Sequence, residues 1–133
     1  MTTAASSDLR QHLILLQYPA GATPPAPAEL QVIMARFATW MEGLQKQGRV
    51  AATNGLELTG KMLRGPIGET VITDGPFAEG KEVVGGYVML NPSTLDEAVA
   101  AAGACPGLDY RMIVEVRPVV PPAHCVTTTQ AGA

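Results

Sequence analysis

The stretch TDGPFAEGKEVVGGYVML (residues 73–90) joins a polar loop to a run that is apolar at almost every position. A strand with one exposed face alternates apolar and polar residues. EVVGGYVML (residues 82–90) does not alternate, so both of its faces should be covered. Gly85 and Gly86 weaken a strand interior, which indicates that another group approaches the backbone closely there. The stretch therefore predicts a central, buried strand that is entered from a turn.

The first half of the chain predicts a strand, a long helix, a further strand and a hairpin. HLILLQY (residues 12–18) is again apolar at consecutive positions, as in a strand covered on both faces. Residues 49–58 predict a strand with an irregularity at Asn54 and Gly55, and residues 61–73 predict a hairpin around GPIG. Residues 28–47 predict a helix, and its apolar stripe consists of Leu30, Ile33, Met34, Phe37, Met41 and Leu44.

The sequence after residue 90 predicts a second helix and a last strand. A capping box, formed either by Ser93 with Asp96 or by Thr94 with Glu97, marks the start of the helix. The predicted buried face of this helix consists of Leu95, Ala98, Val99 and Ala102. The last strand, residues 110–117, should place Tyr110, Met112, Val114 and Val116 on one side, with Arg111, Ile113, Glu115 and Arg117 on the other.

The order of these elements predicts the fold class. Strand, helix, strand, inserted hairpin, strand, helix and strand is typical of a ferredoxin-like α+β domain, an antiparallel sheet with both helices on one face. A single domain should cover residues 9–120, with flexible tails at residues 1–8 and 121–133. Because two helices cover only one face of the sheet, the other face needs a partner, and we expect a homodimer.

Charge and hydropathy restrict the function classes. Nine basic and twelve acidic residues give a net charge of −3 without a basic cluster, which argues against a nucleic-acid partner. The apolar run at residues 13–16 is too short for a signal peptide or a membrane span, so we expect a cytoplasmic protein without a membrane partner. Cys105 and Cys125 form no C-x-x-C pair, and Cys105 is typical of a buried structural thiol.

Motifs for common cofactors are missing from the sequence. It contains no G-x-G-x-x-G, P-loop, nucleophile elbow or H-E-x-x-H pattern, so we expect no cofactor. His12 and His124 lie far apart in the chain, and we expect no metal site.

The sequence closely resembles a known family. VITDGPFAEGKEVVGGYVML is similar to the signature of DGPF-domain proteins in the YCII-related superfamily. LLQY at the end of the first strand, STLDEAVAAAGACPG in the second helix and VEVRPV in the last strand agree with that family, so the similarity covers residues 13–119. The resemblance implies a dimeric α/β barrel, which is a version of the ferredoxin-like fold with a cleft between the sheets and loops.

What the resemblance implies about function is less specific. Some YCII relatives are taken to be enzymes acting on small, often chlorinated, aromatic compounds through a His and Asp pair near the first helix. Residues 28–47 contain neither His nor Asp. The position nearest to that of the relatives' pair is around Phe37, whose ring cannot exchange protons. Gly80 stands where relatives usually carry Thr. DGPF proteins are often encoded beside extracytoplasmic-function sigma factors, which implies a role near transcriptional regulation.

The polar loop supplies the main chemical candidates. Asp74 precedes Gly75 and Pro76, where it can accept backbone hydrogen bonds and shape the turn, or face a cleft as an acid or base. Phe77 is predicted to anchor the loop to the body of the domain. Lys81, if it points inward, would hold an anionic substrate; with Glu79 and Glu82 it would otherwise form a solvated charge run.

Four further residues outside this loop are candidates. His12 is either a strand-end residue or a group that titrates near neutral pH at a site. Arg64 and Arg117 are candidate carboxylate clamps, because guanidinium groups suit planar anions. Trp40 could line a pocket or pack in the core. The sequence thus predicts a YCII-related protein that binds a small aromatic or acidic molecule. The alternative is a cofactor-independent lyase, isomerase or hydrolase with Asp74 as acid or base.

Overall fold

The computed structural model describes residues 9–21, 23–75 and 82–121. Within these residues the chain forms the strands β1 (Arg10–Tyr18), β2 (Val50–Gly55), β3 (Gly60–Arg64), β4 (Val71–Gly75), β5 (Val83–Ser93) and β6 (Ile113–Pro118). The helices are α1 (Pro27–Lys46), α2 (Leu95–Gly103) and a 3-10 helix at Pro106–Tyr110.

The strands form two antiparallel units. β2, β5, β1 and β6 make a four-stranded sheet in that order, and β3 pairs only with β4 in a separate two-stranded ribbon. This strand order and the two helices confirm the predicted ferredoxin-like α+β fold class. The described strands of one chain form an open sheet and do not close into a barrel.

The register of the sheet separates its two faces. Ile14 of β1 lies opposite Val88 of β5 and Val116 of β6, and these residues belong to the core shared with the helices. Leu13 and Leu15 point to the other face, since successive side chains of a strand alternate. There they lie opposite Met89 and Tyr87, and all four side chains are half-buried. The helices therefore cover one face of the strands that the sequence predicts to be covered on both.

Helix α1 begins at Pro27, one residue before the predicted start, and ends at Lys46. A proline suits the first helical turn, because its missing N–H would have no helical partner there. Trp40 and Leu44 in the C-terminal half are buried. Leu30 and Met34 of the predicted apolar stripe are 42% and 61% exposed, because this part of the stripe lines a cleft.

Helix α2 confirms one of the two predicted caps. The Thr94 hydroxyl accepts from the Glu97 N–H at 3.1 Å, and the Glu97 carboxylate accepts from the Thr94 N–H at 2.9 Å. The predicted burial of Leu95 and Val99 is wrong, since both are about half exposed. The helix instead buries its small residues Ala98, Ala101 and Ala102, which let it approach the core closely.

The last strand begins later than its alternation predicts. Residues 106–110 form the 3-10 helix, so Tyr110 is not part of β6. Arg111 follows with a φ of 68°, in the left-handed region, and β6 starts at Ile113. The irregularity predicted at Asn54 and Gly55 is also misplaced, because β2 ends at Gly55 and its register shift lies between Val50 and Ala52.

The ribbon of β3 and β4 confirms the predicted hairpin but packs little against the sheet. Its connection contains Gly65 and Gly68 at positive φ, where residues with a Cβ are strained. Leu63 and Ile72 are paired across the ribbon and are both 61% exposed. The ribbon therefore carries apolar surface outside the main core.

Substitutions of Trp40 test how much this residue contributes to the stability of the core. Its indole Nε1–H donates to the carbonyl oxygen of Ala101 at 3.0 Å. Trp40→Phe should lower the free energy of unfolding by about 1 kcal/mol through loss of this bond. Trp40→Ala should lower it by about 3–5 kcal/mol, because it also leaves a cavity. Urea denaturation followed by circular dichroism measures both changes, and equal losses for the two variants would contradict this role.

Candidate functional site

A cleft of about 860 Å³ lies between α1 and the helix-facing side of the sheet. Ile33, Phe37 and Met41 of α1 line one side of it. Leu16 and Val88 line the opposite side from β1 and β5, and Trp40 contributes to the lining while packing in the core. Its surface is therefore mostly apolar, as is usual for small-molecule sites.

Two glycines of β5 shape the sheet side of the cleft. The Tyr18 ring lies directly against Gly85, so that a Cβ at this position would overlap the ring. At Gly86 a Cβ would lie 3.3 Å from the backbone oxygen of Asn54. The close approach predicted at these two glycines is thus confirmed. Because Gly85 carries no side chain, the Tyr18 ring can pack against the strand within the lining of the cleft.

The 3-10 helix forms a further wall and is braced against α1 by Arg36. The Arg36 guanidinium donates to the Asp109 carboxylate at 2.6 Å and to the Tyr110 hydroxyl at 3.0 Å. It also lies 5.4 Å from the centre of the Tyr110 ring. The hydrogen bond to Asp109, followed by that to Tyr110, raises the pKa of Arg36 above its already high ordinary value. Arg36 therefore stays charged and holds the wall in place.

Few of the residues that line the cleft are charged. Asp109, Arg111 and Glu29 are the charged side chains among the described residues that line the cleft. The Asp109 carboxylate is engaged by Arg36. Thr53 and Tyr18 add hydroxyl groups, although the Thr53 hydroxyl donates to the backbone oxygen of Tyr87 at 2.9 Å. The cleft is consequently an apolar cavity with a few polar groups.

Asp74, the main candidate from the sequence, does not line this cleft. It lies in β4, on the ribbon, and its carboxylate pairs with the Lys61 ammonium at 2.5 Å. Its side chain is 73% exposed. Its neighbour Gly75 is buried against Met62. Within the described residues Asp74 therefore acts as a cross-strand partner of Lys61.

The rest of the polar loop adds no described group to the cleft. Pro76, Phe77, Glu79 and Lys81 lie outside the described residues, so their predicted roles remain predictions. Glu82 is exposed, immediately before β5 begins, and is not part of the lining.

The remaining candidates lie apart from one another. His12 is fully buried in β1 opposite Leu90 and Pro118, and it does not line the cleft. Arg64 is exposed on the ribbon. Arg117 lies on the sheet face opposite the helices, with its Nε 3.8 Å from the Glu115 carboxylate. Hence neither arginine reaches the cleft, and the structure does not bring the predicted clamps together.

The polar residues that do line the cleft were missed by sequence reasoning. Tyr18 had a usable signal in the sequence, since it ends β1 next to the loop prolines; in the structure its ring lies against Gly85. Arg111 had no such signal, because a left-handed backbone at a residue other than glycine or asparagine has no common sequence pattern. A second signal was the apolar stripe of α1, which extends beyond the part of the helix that the sheet can bury.

Residues 9–21, 23–75 and 82–121 contain no group of three or more His, Cys, Asp or Glu side chains that could hold a metal ion. None of the helices described is both long and apolar enough to cross a membrane.

The fold and the site together define an α+β domain with a small-molecule-sized cleft between its long helix and its sheet. The model of the YCII-related domain family matches residues 11–122, and the chain therefore belongs to that family. No curated protein sequence matches the chain significantly. The predicted relationship to the YCII-related superfamily is thereby confirmed.

Cys105 is buried, as predicted for a structural thiol. Burial raises the pKa of the Cys105 thiol, and a hydrogen bond with the Gly107 backbone opposes the rise. The thiol therefore stays protonated in the folded protein at pH values where an exposed cysteine begins to ionise. The stability this provides is fully present below the pKa of the unfolded thiol and is lost as the pH rises through the raised folded value.

We expect iodoacetamide at pH 8.5 to modify Cys105 much more slowly in the folded protein than in urea, because only the thiolate reacts. Peptide mass spectrometry measures the modification at this residue separately from Cys125. Equal rates in the two conditions would show that the thiol is accessible and not structural.

Proposed function

We propose that this YCII-related protein binds a small, largely apolar organic molecule in the cleft between α1 and the sheet. The observation that carries the proposal is the cleft itself, about 860 Å³ in volume and lined mainly by aliphatic and aromatic side chains. Small-molecule sites typically measure about 300–1,000 Å³ and combine such walls with a few polar groups. Leu30 and Met34 also support it, because they leave apolar surface accessible at the cleft.

The lining residues fit a non-catalytic binding site better than the active site of an enzyme. The described residues of the lining include no histidine, and the Asp109 carboxylate is already engaged by Arg36. The alternative is a cofactor-independent lyase, isomerase or hydrolase with Asp74 as acid or base. It requires this carboxylate to leave Lys61 and reach a substrate.

The proposed cellular role rests on the resemblance to DGPF-domain proteins. DGPF-domain proteins are often encoded beside sigma factors, and a cleft that binds a small molecule without turning it over suits a regulatory protein in the cytoplasm. In this proposal the bound molecule is the signal, and the protein changes its interactions when the cleft is filled.

We also propose that two copies pair through the sheet face opposite the helices. Leu13, Leu15, Tyr87 and Met89 form an apolar strip on that face, and they are only half-buried in one chain. Contact with an identical strip would remove this surface from water, which favours association. The homodimer expected from the sequence therefore remains our proposal for the assembly.

The cleft is tested by filling it with a side chain. Ala38 and Ala35 are both exposed on α1, but only Ala38 lines the cleft. We expect the neutral fluorophore N-phenyl-1-naphthylamine to bind the wild-type protein with a saturable rise in fluorescence. Ala38→Trp should abolish or strongly weaken this binding, because the indole occupies the space of the ligand.

The matched control is Ala35→Trp, which carries the same substitution on the same helix and should bind the dye like the wild type. Circular dichroism melting of both variants checks that they are folded. If both variants bind the dye as tightly as the wild type, the cleft is not the binding site and the proposed function fails.

The dimer is tested by a charge on the sheet face. Leu15→Glu places a carboxylate in the middle of the apolar strip, and we expect it to shift the protein from dimer to monomer at micromolar concentration. Val99→Glu on the exposed side of α2 is the control and should remain dimeric. Light scattering after size exclusion measures both; a monomeric wild type would refute the proposed assembly.

A further inference from the structure

Arg111 stands at an unusual backbone position beside the cleft. It is the non-glycine residue with positive φ among residues 9–21, 23–75 and 82–121, and its φ is 68°. The left-handed turn lets the chain leave the 3-10 helix, with the Met112 N–H donating to the Gly107 oxygen at 3.0 Å. Glycine or asparagine would make this turn with less strain. The fold therefore accounts for the turn but not for an arginine side chain.

The charge of Arg111 is not used by the described protein. Among the described residues, no carboxylate or carbonyl oxygen pairs with the Arg111 guanidinium. The Arg64 guanidinium likewise has no such partner among these residues. The other described cations have partners, as Arg36 has in Asp109 and Arg49 has in the Glu97 carbonyl oxygen. Of the two unpartnered arginines, only Arg111 lines the cleft.

The acidic groups of the cleft do not neutralise Arg111. Asp109 lies only two residues away, but its carboxylate is held by Arg36 at 2.6 Å. Glu29 lies in the first turn of α1, where the positive end of the helix dipole already favours its charge. Arg111 thus adds a positive charge without an ion-pair partner among the described residues to the lining of a mostly apolar cleft.

We infer that the natural ligand is an organic anion, whose apolar body lies between α1 and the sheet while its carboxylate or similar head group accepts hydrogen bonds from Arg111. A guanidinium forms two parallel hydrogen bonds with a carboxylate, which gives it both affinity and orientation. This inference rests on the proposed function and narrows it to one class of ligand. It also makes Arg111, and not Arg64 or Arg117, the carboxylate clamp of the protein.

The experiment compares two probes of the same shape. 2-Naphthoate carries a carboxylate where 2-naphthamide carries a neutral amide, and each is titrated as a competitor of bound N-phenyl-1-naphthylamine. We expect the wild type to bind the acid roughly fivefold or more tightly than the amide, as for one charge-assisted contact at an accessible site. Raising the salt concentration should reduce this ratio, because ions screen an exposed charge pair.

Arg111→Asn should reduce the ratio of the two affinities to about one, because only the acid loses a charge-assisted contact. Asparagine tolerates the left-handed backbone, so the variant should melt no lower than the wild type. Arg111→Lys keeps the positive charge and should retain part of the preference for the acid. Arg64→Asn, the matched control at the other unpartnered arginine, should behave like the wild type.

The outcomes separate this inference from the proposed function. If the dye is blocked by Ala38→Trp but Arg111→Asn keeps the preference for the acid, the anion inference is wrong and the cleft remains a binding site. An equal loss of acid and amide affinity in Arg111→Asn would also overturn it, since that pattern indicates a change in cleft shape. If Ala38→Trp affects neither dye nor competitors, the cleft binds nothing and both proposals fail.

Discussion

The hydrogen bond from the Trp40 indole to the Ala101 carbonyl oxygen fixes the position of the long helix relative to the rest of the fold. It joins α1 to α2 at the point where both contact the sheet, within a core that includes Ile14 and Val88. A helix of twenty residues is about 30 Å long, and this one is anchored in its C-terminal half. The N-terminal half consequently extends past the well-packed region, and the cleft lies beneath it.

The cleft is therefore a continuation of the hydrophobic core that no side chain fills. Ile33 and Phe37 lie on the same stripe of α1 as the buried Leu44, yet they line the cleft and are only half-buried. An apolar ligand placed there would complete the packing of the stripe, which supports the proposed binding function. The Arg36–Asp109 ion pair keeps the 3-10 helix at the side of this space.

Much of the fold could be predicted from the sequence because its signals are local. Consecutive apolar residues identified β1 and β5, and the Thr94–Glu97 pair marked the start of α2. Helical spacing shows which side of α1 is apolar, but it does not show what covers that side, so the exposure of Leu30 and Met34 was missed. For α2 the predicted burial of Ala98 and Ala102 is confirmed, whereas tertiary packing leaves the larger Leu95 and Val99 about half exposed.

The site was less predictable than the fold. The neighbours of Asp74 in sequence indicated a possible acid or base. Its role in the structure depends instead on Lys61, because the pairing of β3 with β4 places Lys61 opposite Asp74. Arg111 acquires its place in the cleft only through the turn after the 3-10 helix. Contacts of this kind join residues through chain geometry, and neither composition nor periodicity encodes them.

The strand order has a consequence for how the chain is synthesised. Among the described strands, β1 is synthesised before its two neighbours, β5 and β6, which both come from the second half of the chain. β1 therefore has neither of its sheet neighbours while residues 19–82 are synthesised. Its second edge can pair only after β6 has been synthesised. Such long-range pairing folds slowly and leaves an apolar segment available to other chains in the meantime. A strand at the centre of the finished sheet is thus exposed to contacts with other chains during translation.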